Sequence, residues 1–379
     1  MKSGVSFVIP CLNEALTLPR VLQAINQLRP TVLSDRTVEV IVSDNGSTDR
    51  SIAIAQENGA RVVPCAQRGY GAALKNGIRA ASQPLVIFAD ADDTYDFAEA
   101  PKLIQEIEKG HDLVLGTRMK GDIRKDAMPL LHRYLGTPTL TGLINFLYGS
   151  KSCKISDCNS GFRCFYRDRF LDWGIHSDGM EFASEMLVKA MLSGAKIAEV
   201  PITLRADERT RAPHLKTWRD GMRHLMQILL EAPKFFHAVG GTLFTLSWVL
   251  IIGTAFFSSP IRLGPLSLMG IHTTAFACIG SFIGLALWGI GLVLTAKRPA
   301  SGVAIYQRLV QMPEDKFFWG AFFFLMFCLC LVGFIFIYWA GCHFKFLPLE
   351  KETVLLSGFI TNGILLIFQI FTAHLIKRA

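Results

Sequence analysis

Along the first two hundred residues, short apolar runs alternate with segments whose apolar positions recur every three or four residues. Val5–Ile9, Val38–Val42, Arg61–Val63, Leu85–Ala89 and Asp112–Leu115 read as strands. Between them, Asn13–Leu28, Thr48–Asn58, Tyr70–Ala81 and Ala98–Lys109 carry helical spacing, in the first through Leu16, Val21, Leu22, Ile25 and Leu28. Strands alternating with helices of about ten to fifteen residues predict βαβ units and a mostly parallel α/β sheet. In such sheets ligands bind at the carboxyl ends of the strands.

The last third follows a different pattern. Four apolar stretches, about 235–257, 270–295, 317–340 and 354–376, are almost free of charge. Each has about 20 residues or more, the length an α-helix needs to cross a hydrocarbon core. The chain therefore divides into an α/β domain (1–214), a connecting segment (215–234) and a four-helix membrane domain (235–379). In the connector, Trp218, Met222, Leu225, Met226 and Leu229 recur at helical spacing, with Arg219, Asp220, Arg223 and Gln227 between. Such a helix either lies on the membrane surface or packs on the first domain. Met1–Gly4 and the short run Val5–Ile9, stopped by Pro10, read as the start of a strand and not as a secretory leader.

Cations set the expected orientation. Lys297, Arg298, Arg308 and Lys316 lie between the second and third stretches, Lys377 and Arg378 after the fourth, and Arg219, Arg223 and Lys234 before the first. The other two loops carry Arg262, and Lys345 and Lys351 against Glu350 and Glu352. The positive-inside rule then puts the α/β domain and both termini in the cytoplasm, in a multi-pass protein of an inner cell membrane or an ER-like membrane. His272, His343 and His374, near the span ends, read as interfacial residues.

Composition adds little beyond this. Hydrophobic residues make up 51% of the 379, and their crowding in the last third assigns them to the spans. A net charge of +8 suits nucleic acid or an anionic membrane equally well by number. No nucleic-acid module, repeat or low-complexity tail is present, so no nucleic-acid partner is expected. Nine cysteines form no CxxC and no zinc pattern, and read as reduced thiols on a cytoplasmic side.

The chemistry gathers at the strand ends. Phe88–Asp96 reads FADADDTYD: the fourth strand stops abruptly in Asp90, Asp92, Asp93 and Asp96. Four like charges so close repel unless a cation sits among them, and an Asp-x-Asp pair suits Mg²⁺ or Mn²⁺ shared with substrate phosphates. At the second strand's end, Asp44 is able to accept from a base or sugar hydroxyl, Gly46 permits a turn, and Ser47 or Thr48 caps the next helix. Arg118, after the fifth strand, is a fixed cation suited to a diphosphate. Each has a plainer reading as a turn, a cap or a surface charge. Gathered on one sheet edge, they point to a nucleotide-diphosphate site. Gly69-Tyr70-Gly71 opens a helix, and serves either helix packing or an anion at the helix start.

The runs VSFVIPCLNE, VEVIVSDNGSTD, RGYGAALKNGI, LVIFADADDTYD and GTR, in this order and spacing, resemble the nucleotide-sugar domain of family-2 glycosyltransferases with the GT-A fold. The resemblance implies a GT-A domain over 1–214 in which Asp92 is the direct Mg²⁺ or Mn²⁺ ligand and Asp90 supports metal and nucleotide. It sets Pro10, Glu14 and Asp44 around the nucleoside. Further on, Asp157–Arg163, the helix opened by Gly179–Met186, Glu199-Val200-Pro201-Ile202 and a basic loop resemble the polyprenyl-phosphate branch, which includes dolichol-phosphate mannose and glucose synthases. That implies Asp157, Arg163 and Arg118 with Asp92 as the reacting centre. Arg209, Arg211 and Lys216 would lie toward the lipid phosphate. The implied reaction inverts at the anomeric carbon, takes a nucleotide-sugar donor and a polyprenyl phosphate, and needs no strong base. Glu181 and Glu185 are expected to orient the site or hold Arg163 or Arg118. The resemblance leaves room for a homo-oligomer.

The chain departs from the family pattern in three places. Asp44-Asn45 stands where many relatives have two aspartates, Thr94 falls where some place a metal-assisting Gln, and the basic loop reads ERTRAPHLK. Two other readings stand beside the leading one. A processive polysaccharide synthase would carry Gln-x-x-Arg-Trp, which is absent from the sequence. A lipid-sugar flippase or membrane scaffold with an idle transferase domain would not need Asp90, Asp92 and Arg118.

Overall fold

The computed structural model describes residues 3–150, 153–207, 217–256, 261–263, 266–268, 270–297, 304–342 and 350–378. The chain forms two compact units, Met1–Ile228 and Leu229–Ala379.

In the first unit, seven strands make one sheet: β1 (Val5–Cys11), β2 (Val38–Asp44), β3 (Arg61–Pro64), β4 (Leu85–Phe88), β5 (Leu113–Ile123), β6 (Arg163–Tyr166) and β7 (Ile197–Leu204). Their order in space is β3-β2-β1-β4-β6-β5-β7. Four pairings are parallel, and β6 alone runs antiparallel, between β4 and β5. Because β6 is reversed, its first residue, Arg163, sits opposite Phe88 and Leu115 on the edge where the other strands end.

Helices cover both faces, so the strands are continuously apolar. Successive side chains point to opposite faces: Phe7 and Ile9 enter one core with α1 (Leu18–Leu28) and α4 (Ala100–Glu108). Val8, Ile41 and Phe88 enter the other, with α3 (Tyr70–Ala80), α5 (Thr137–Tyr148), α6 (Arg167–Asp172) and α7 (Phe182–Leu192). The short α2 (Ser51–Glu57) follows β2.

Two elements differ from the periodicity reading. The first helix begins at Leu18, because Asn13 takes a left-handed φ of 58° and joins a turn with Ser47 and Thr48. Leu16, counted on its apolar face, is exposed. β5 runs on past Arg118 to Ile123, pairing with β7 across a register shift between Thr117 and Asp122. Ladder pairing is made by backbone groups, and so continues where the side chains turn polar.

The connector helix α8 (Thr217–Leu230) packs on the first unit over its described length up to Ile228. A single π-type turn, His132–Gly136, precedes α5, and His132 Nε2 lies 3.1 Å from the Thr217 hydroxyl. At the other end of α5, the Tyr148 hydroxyl donates to the Ile228 carbonyl at 2.5 Å. The two helices therefore run side by side in the same direction. The buried residues of α8 are Asp220, His224 and Ile228. His224 Nδ1 lies 2.9 Å from the Ser184 hydroxyl of α7, and burial pushes the imidazole down to about 4, so it is neutral at physiological pH. Trp218, Met222 and Met226 face outward. The helix thus buries Asp220 and His224 beside Ile228, while Trp218, Met222 and Met226 lie outside with Arg219 and Arg223.

The second unit holds α9 (Pro233–Phe256), a strand pair β8 (Ile261–Leu263) and β9 (Leu266–Leu268), α10 (Ile271–Lys297), α11 (Ala304–Val310), α12 (Glu314–Gly341) and α13 (Glu350–Arg378). Pro233–Thr254, His272–Lys297, Asp315–Gly341 and Thr353–Lys377 are long and apolar enough to cross a membrane. Backbones of α9 and α10 touch at glycines: a Cβ on Gly240 would lie 2.4 Å from Trp288 N, and one on Gly284 2.5 Å from Phe244 N. Small residues permit the close approach on which helix association in lipid depends. Buried polar pairs also join the helices: Thr274 Oγ1 of α10 to Thr254 Oγ1 of α9 at 3.1 Å, and Asn362 Nδ2 of α13 to Ser281 Oγ of α10 at 2.8 Å. His374, expected at an interface, is buried beside the Phe317 ring, whereas His343 lies outside the described residues.

Candidate active site

The strand ends converge as the topology requires. On β1, Pro10 is buried opposite Ser43, and Cys11 pairs with Asp44. Asp44, 6% exposed, accepts from the main-chain N–H of Gly46 (3.1 Å) and Ser47 (3.1 Å), which fixes its carboxylate at the end of β2. Glu14, after β1, is buried, its N–H donating to Ser51 Oγ at 2.9 Å. Asn45, the residue that departs from the two-aspartate pattern, is structural. Its amide donates to the Cys65 and Gln67 carbonyls, and its Oδ1 accepts from Gly69 N.

That contact bears on the Gly69–Gly71 stretch. Gly69 has φ +136°, and a Cβ there would meet the Asp178 carbonyl at 2.1 Å. A Cβ on Gly71 would meet Ser177 O at 2.6 Å, and Ala72 N donates to Asp178 O at 3.1 Å. Close packing against the 177–179 turn is what these glycines serve. Gly71→Ala is expected to cost about 1–3 kcal/mol by overpacking, read as a fall in thermal midpoint; an unchanged midpoint would show that the turn yields freely.

At the end of β4 the four aspartates separate into two pairs. Asp92, 8% exposed, accepts from Thr94 N (3.2 Å) and Thr94 Oγ1 (2.7 Å). Asp90 accepts from the Tyr70 hydroxyl; burial first, then the Asp90 charge, hold that phenol well above its usual range, so it stays a donor. A Cβ on Gly161 would fall 2.6 Å from Asp90 Oδ2, so the 158–161 turn closes directly over this carboxylate. Asp93, at φ 61°, pairs with Arg20 (3.6 Å) and Arg205 (4.0 Å). Asp96 caps the 97–99 turn and accepts from Arg205 Nη2 at 2.6 Å. Asp93 and Asp96 brace the loop that carries Asp90 and Asp92.

Arg118 and Asp157 form a bidentate pair, Nε to Oδ2 at 2.7 Å and Nη2 to Oδ1 at 2.8 Å, reinforced by Arg118 N to Oδ2 at 3.1 Å. Asp157 is wholly buried. Burial alone would raise its carboxyl, but the guanidinium outweighs that and holds it below the usual carboxylate range. Glu199 anchors the turn beneath, accepting from Ser156 N and Oγ, and from Lys120. Arg163 is also wholly buried, yet its guanidinium donates to three carbonyls, of Ser160, Ala183 and Cys158. It ties the 158–160 turn to the start of α7. The expectation that Glu181 or Glu185 holds one of these arginines is not met by the bonds observed. Glu185 accepts from His176 N and Ser177 N, and Glu181 Oε1 from Gly179 N. Arg209, Arg211 and Lys216 lie outside the described residues.

Among the described residues no group of three His, Cys, Asp or Glu gathers that would hold a metal unaided. A carboxylate pair completed by substrate phosphates is, however, the ordinary donor set of Mg²⁺ or Mn²⁺, and Asp90 with Asp92 would fit the protein's part of it. Sequence reasoning missed Arg20, and it missed what Tyr70, Tyr95 and Arg205 touch, although Arg205 heads the cation-rich stretch that follows Ile202. The Tyr95 oxygen accepts from Gly161 N at 2.8 Å, and its burial pushes the phenol up to about 12. Tyr70 lay in the quoted Gly-rich run and Tyr95 in the acidic one, but nothing in their spacing marks a hydroxyl contact.

The family model for glycosyl transferase family 2 matches residues 6–172. The chain is similar to the low-salt glycan biosynthesis hexosyltransferase of Haloferax volcanii, 36% identical over 271 residues, 71% of this chain and 62% of that protein. It thus spans less than two thirds of that relative. It is also similar to the dolichyl-phosphate hexose transferase of the same organism, 33% identical over 201 residues, 52% of this chain and 81% of that protein. A solved glucosyl-3-phosphoglycerate synthase from Mycobacterium tuberculosis, in complex with Mn²⁺, uridine-diphosphate and glucosyl-3-phosphoglycerate, is 25% identical with a TM-score of 0.48, covering 61% of this chain and 80% of that one. With its GT-A-like sheet, the match to the family model and these relatives, the chain belongs to glycosyltransferase family 2 and is a sugar-transferring enzyme.

Proposed function

We propose that this enzyme transfers a sugar from a nucleotide-diphosphate donor to a polyprenyl phosphate at the cytoplasmic face of a membrane, with inversion and with Mg²⁺ or Mn²⁺. The observation that carries the reading is the pair Asp90 and Asp92 at the end of β4, on the same sheet edge as Asp44 and Arg118. The dolichyl-phosphate relative and the four membrane-length helices support a lipid acceptor.

In this reading Pro10, Glu14 and Asp44 surround the nucleoside, and Asp90 and Asp92 hold the cation. A cation held there would supply charge neutralisation for the departing diphosphate. Arg118, oriented by Asp157, faces the diphosphate as a fixed positive charge, which adds to the alignment of two anionic substrates. Arg163 acts from beneath, by fixing the turn that bears Asp157. Arg209, Arg211 and Lys216 meet the acceptor phosphate. A phosphate monoester is largely ionised near pH 7, its second pKa being about 6, so no side chain need remove a proton from it.

The test is direct. Membranes containing the protein, given Mn²⁺, a polyprenyl phosphate and a panel of radiolabelled nucleotide sugars, should yield a chloroform-soluble labelled lipid with at least one donor. No labelled lipid with any donor overturns the proposal.

A further inference from the structure

Tyr95 lies three residues beyond Asp92 and is 3% exposed. Its backbone is tied down where it stands: Tyr95 bridges Leu204 of β7, and the Thr94 carbonyl accepts from Arg205 N at 2.8 Å. Its ring tilts against Phe162 at 5.8 Å. Phenylalanine would pack there equally well, so the hydroxyl is the part that packing does not explain. That oxygen accepts from Gly161 N at 2.8 Å. Gly161 ends the 157–161 turn, which begins with Asp157, the bidentate partner of Arg118. One hydroxyl therefore joins the loop that bears Asp90 and Asp92 to the turn that orients Arg118.

The junction is tight. A Cβ on Gly161 would fall 2.6 Å from Asp90 Oδ2 and 3.2 Å from the Tyr95 oxygen, so both oxygens flank the same Cα. Asp90 is held from another direction by the hydroxyl of Tyr70, the first residue of α3. Beyond burial, the charges that bear on the Tyr95 phenol are those of Arg118, Asp90 and Asp157. The hydroxyl thus stands between the aspartate loop and the Arg118–Asp157 pair. A buried N–H without an acceptor is disfavoured, so removing the hydroxyl would release the turn from the loop while leaving every charged group in place.

We propose that Tyr95 is a positioning residue whose hydroxyl sets the spacing between the Asp90 and Asp92 carboxylates and the Arg118 guanidinium, so that one diphosphate meets the cation and the arginine together. The inference rests on the metal–diphosphate reading above, and adds how the two halves of that site are held in register. Tyr95 itself touches neither substrate nor cation in this scheme; it acts through Gly161. Its effect is a coupling: a cation on the aspartates and a diphosphate on Arg118 favour each other's binding only while their supports stand at the right spacing. Misplacement by about 1 Å is enough to cost on the order of 10²-fold in rate.

The experiment uses the full chain in detergent micelles, as wild type, Tyr95→Phe and a control. Each is titrated with Mn²⁺ at controlled free-ion concentration, with and without uridine or guanosine diphosphate, and the thermal midpoint reports binding. Wild type should bind Mn²⁺ about 10-fold more tightly when one of the two diphosphates is present, within the usual range of coupling between sites. Tyr95→Phe should keep its affinity for Mn²⁺ alone, because both aspartates remain, and lose most of the coupling. Its kcat for sugar transfer should fall about 10–10²-fold, with KM for the polyprenyl phosphate unchanged. The control, Ile107→Val, trims a buried core residue of α4 and lowers the midpoint away from the site; it should keep both coupling and kcat. Coupling that survives in Tyr95→Phe overturns the inference, as does coupling lost equally in Ile107→Val, which would make the effect one of stability. No coupling in wild type with either diphosphate would remove the metal–diphosphate reading and the inference with it. Coupling lost in Tyr95→Phe alone, in a protein that labels no prenyl phosphate, would remove the acceptor assignment and leave the role of Tyr95 standing.

Discussion

Asp92→Asn is expected to abolish sugar transfer with the fold intact. The substitution keeps an oxygen able to accept from Thr94 N and Thr94 Oγ1, so the local turn survives. It removes one of four carboxylates crowded between residues 90 and 96, which relieves repulsion in the metal-free protein. The thermal midpoint without divalent ion should therefore hold or rise. Activity should fall by about 10²–10³-fold or more, the scale of losing one group that stabilises charge in the transition state. The shift given by saturating Mn²⁺ to the thermal midpoint should shrink as well, a readout independent of turnover. Retention of about a tenth or more of the activity, well above that scale, would remove Asp92 from the metal. The same variant separates the transferase from an idle scaffold, whose function would survive it.

Asp157→Ala is expected to act on stability first. It leaves the Arg118 guanidinium buried without its bidentate partner, and breaking one side of a buried pair costs about 3–5 kcal/mol. The pH dependence has a definite sign. With the folded Asp157 carboxyl held below its unfolded value, the pair contributes stability above that value, and loses it as pH falls through the folded one. In the acid limb of a stability–pH curve, below about pH 4, wild type should therefore converge on the variant. Replacing both partners by apolar residues, Arg118→Met with Asp157→Leu, should recover much of the stability, because no unpaired charge remains. It should not recover transfer. Recovery of both would make the pair purely structural and remove Arg118 from the reaction.

Much of the sheet was legible because its strands are buried on both faces and its helices on one. Those periods are written directly in residue type. The antiparallel β6 was not, since strand direction depends on which partners the chain returns to, and a four-residue apolar run carries no direction. The reversal matters: it brings Arg163 and the 157–161 turn to the edge that holds Asp90.

Asp-x-Asp, the Asn-Gly turn and the Gly-Thr-Arg end were legible as a set because a parallel sheet gathers its strand ends. What each carboxylate does was not. Asp90 and Asp92 are set apart from Asp93 and Asp96 by Tyr70 and Thr94 on one side and Arg20 and Arg205 on the other. Those partners come from α3, from the loop itself, from α1 and from beyond β7. Asp157, likewise, turns from an implied member of the reacting centre into a buried partner of Arg118 only when β5 and the 157–161 turn meet.

By itself, then, the sequence determined the period of the strands and helices up to β5 and the four membrane-length segments, because these depend on local residue type and spacing. Only the tertiary structure decided which charges face one another and which face of α8 is outside. Pairing and burial are properties of residues distant in the chain, and α8 can bury His224 because Ser184, contributed by another helix, is there to bond it.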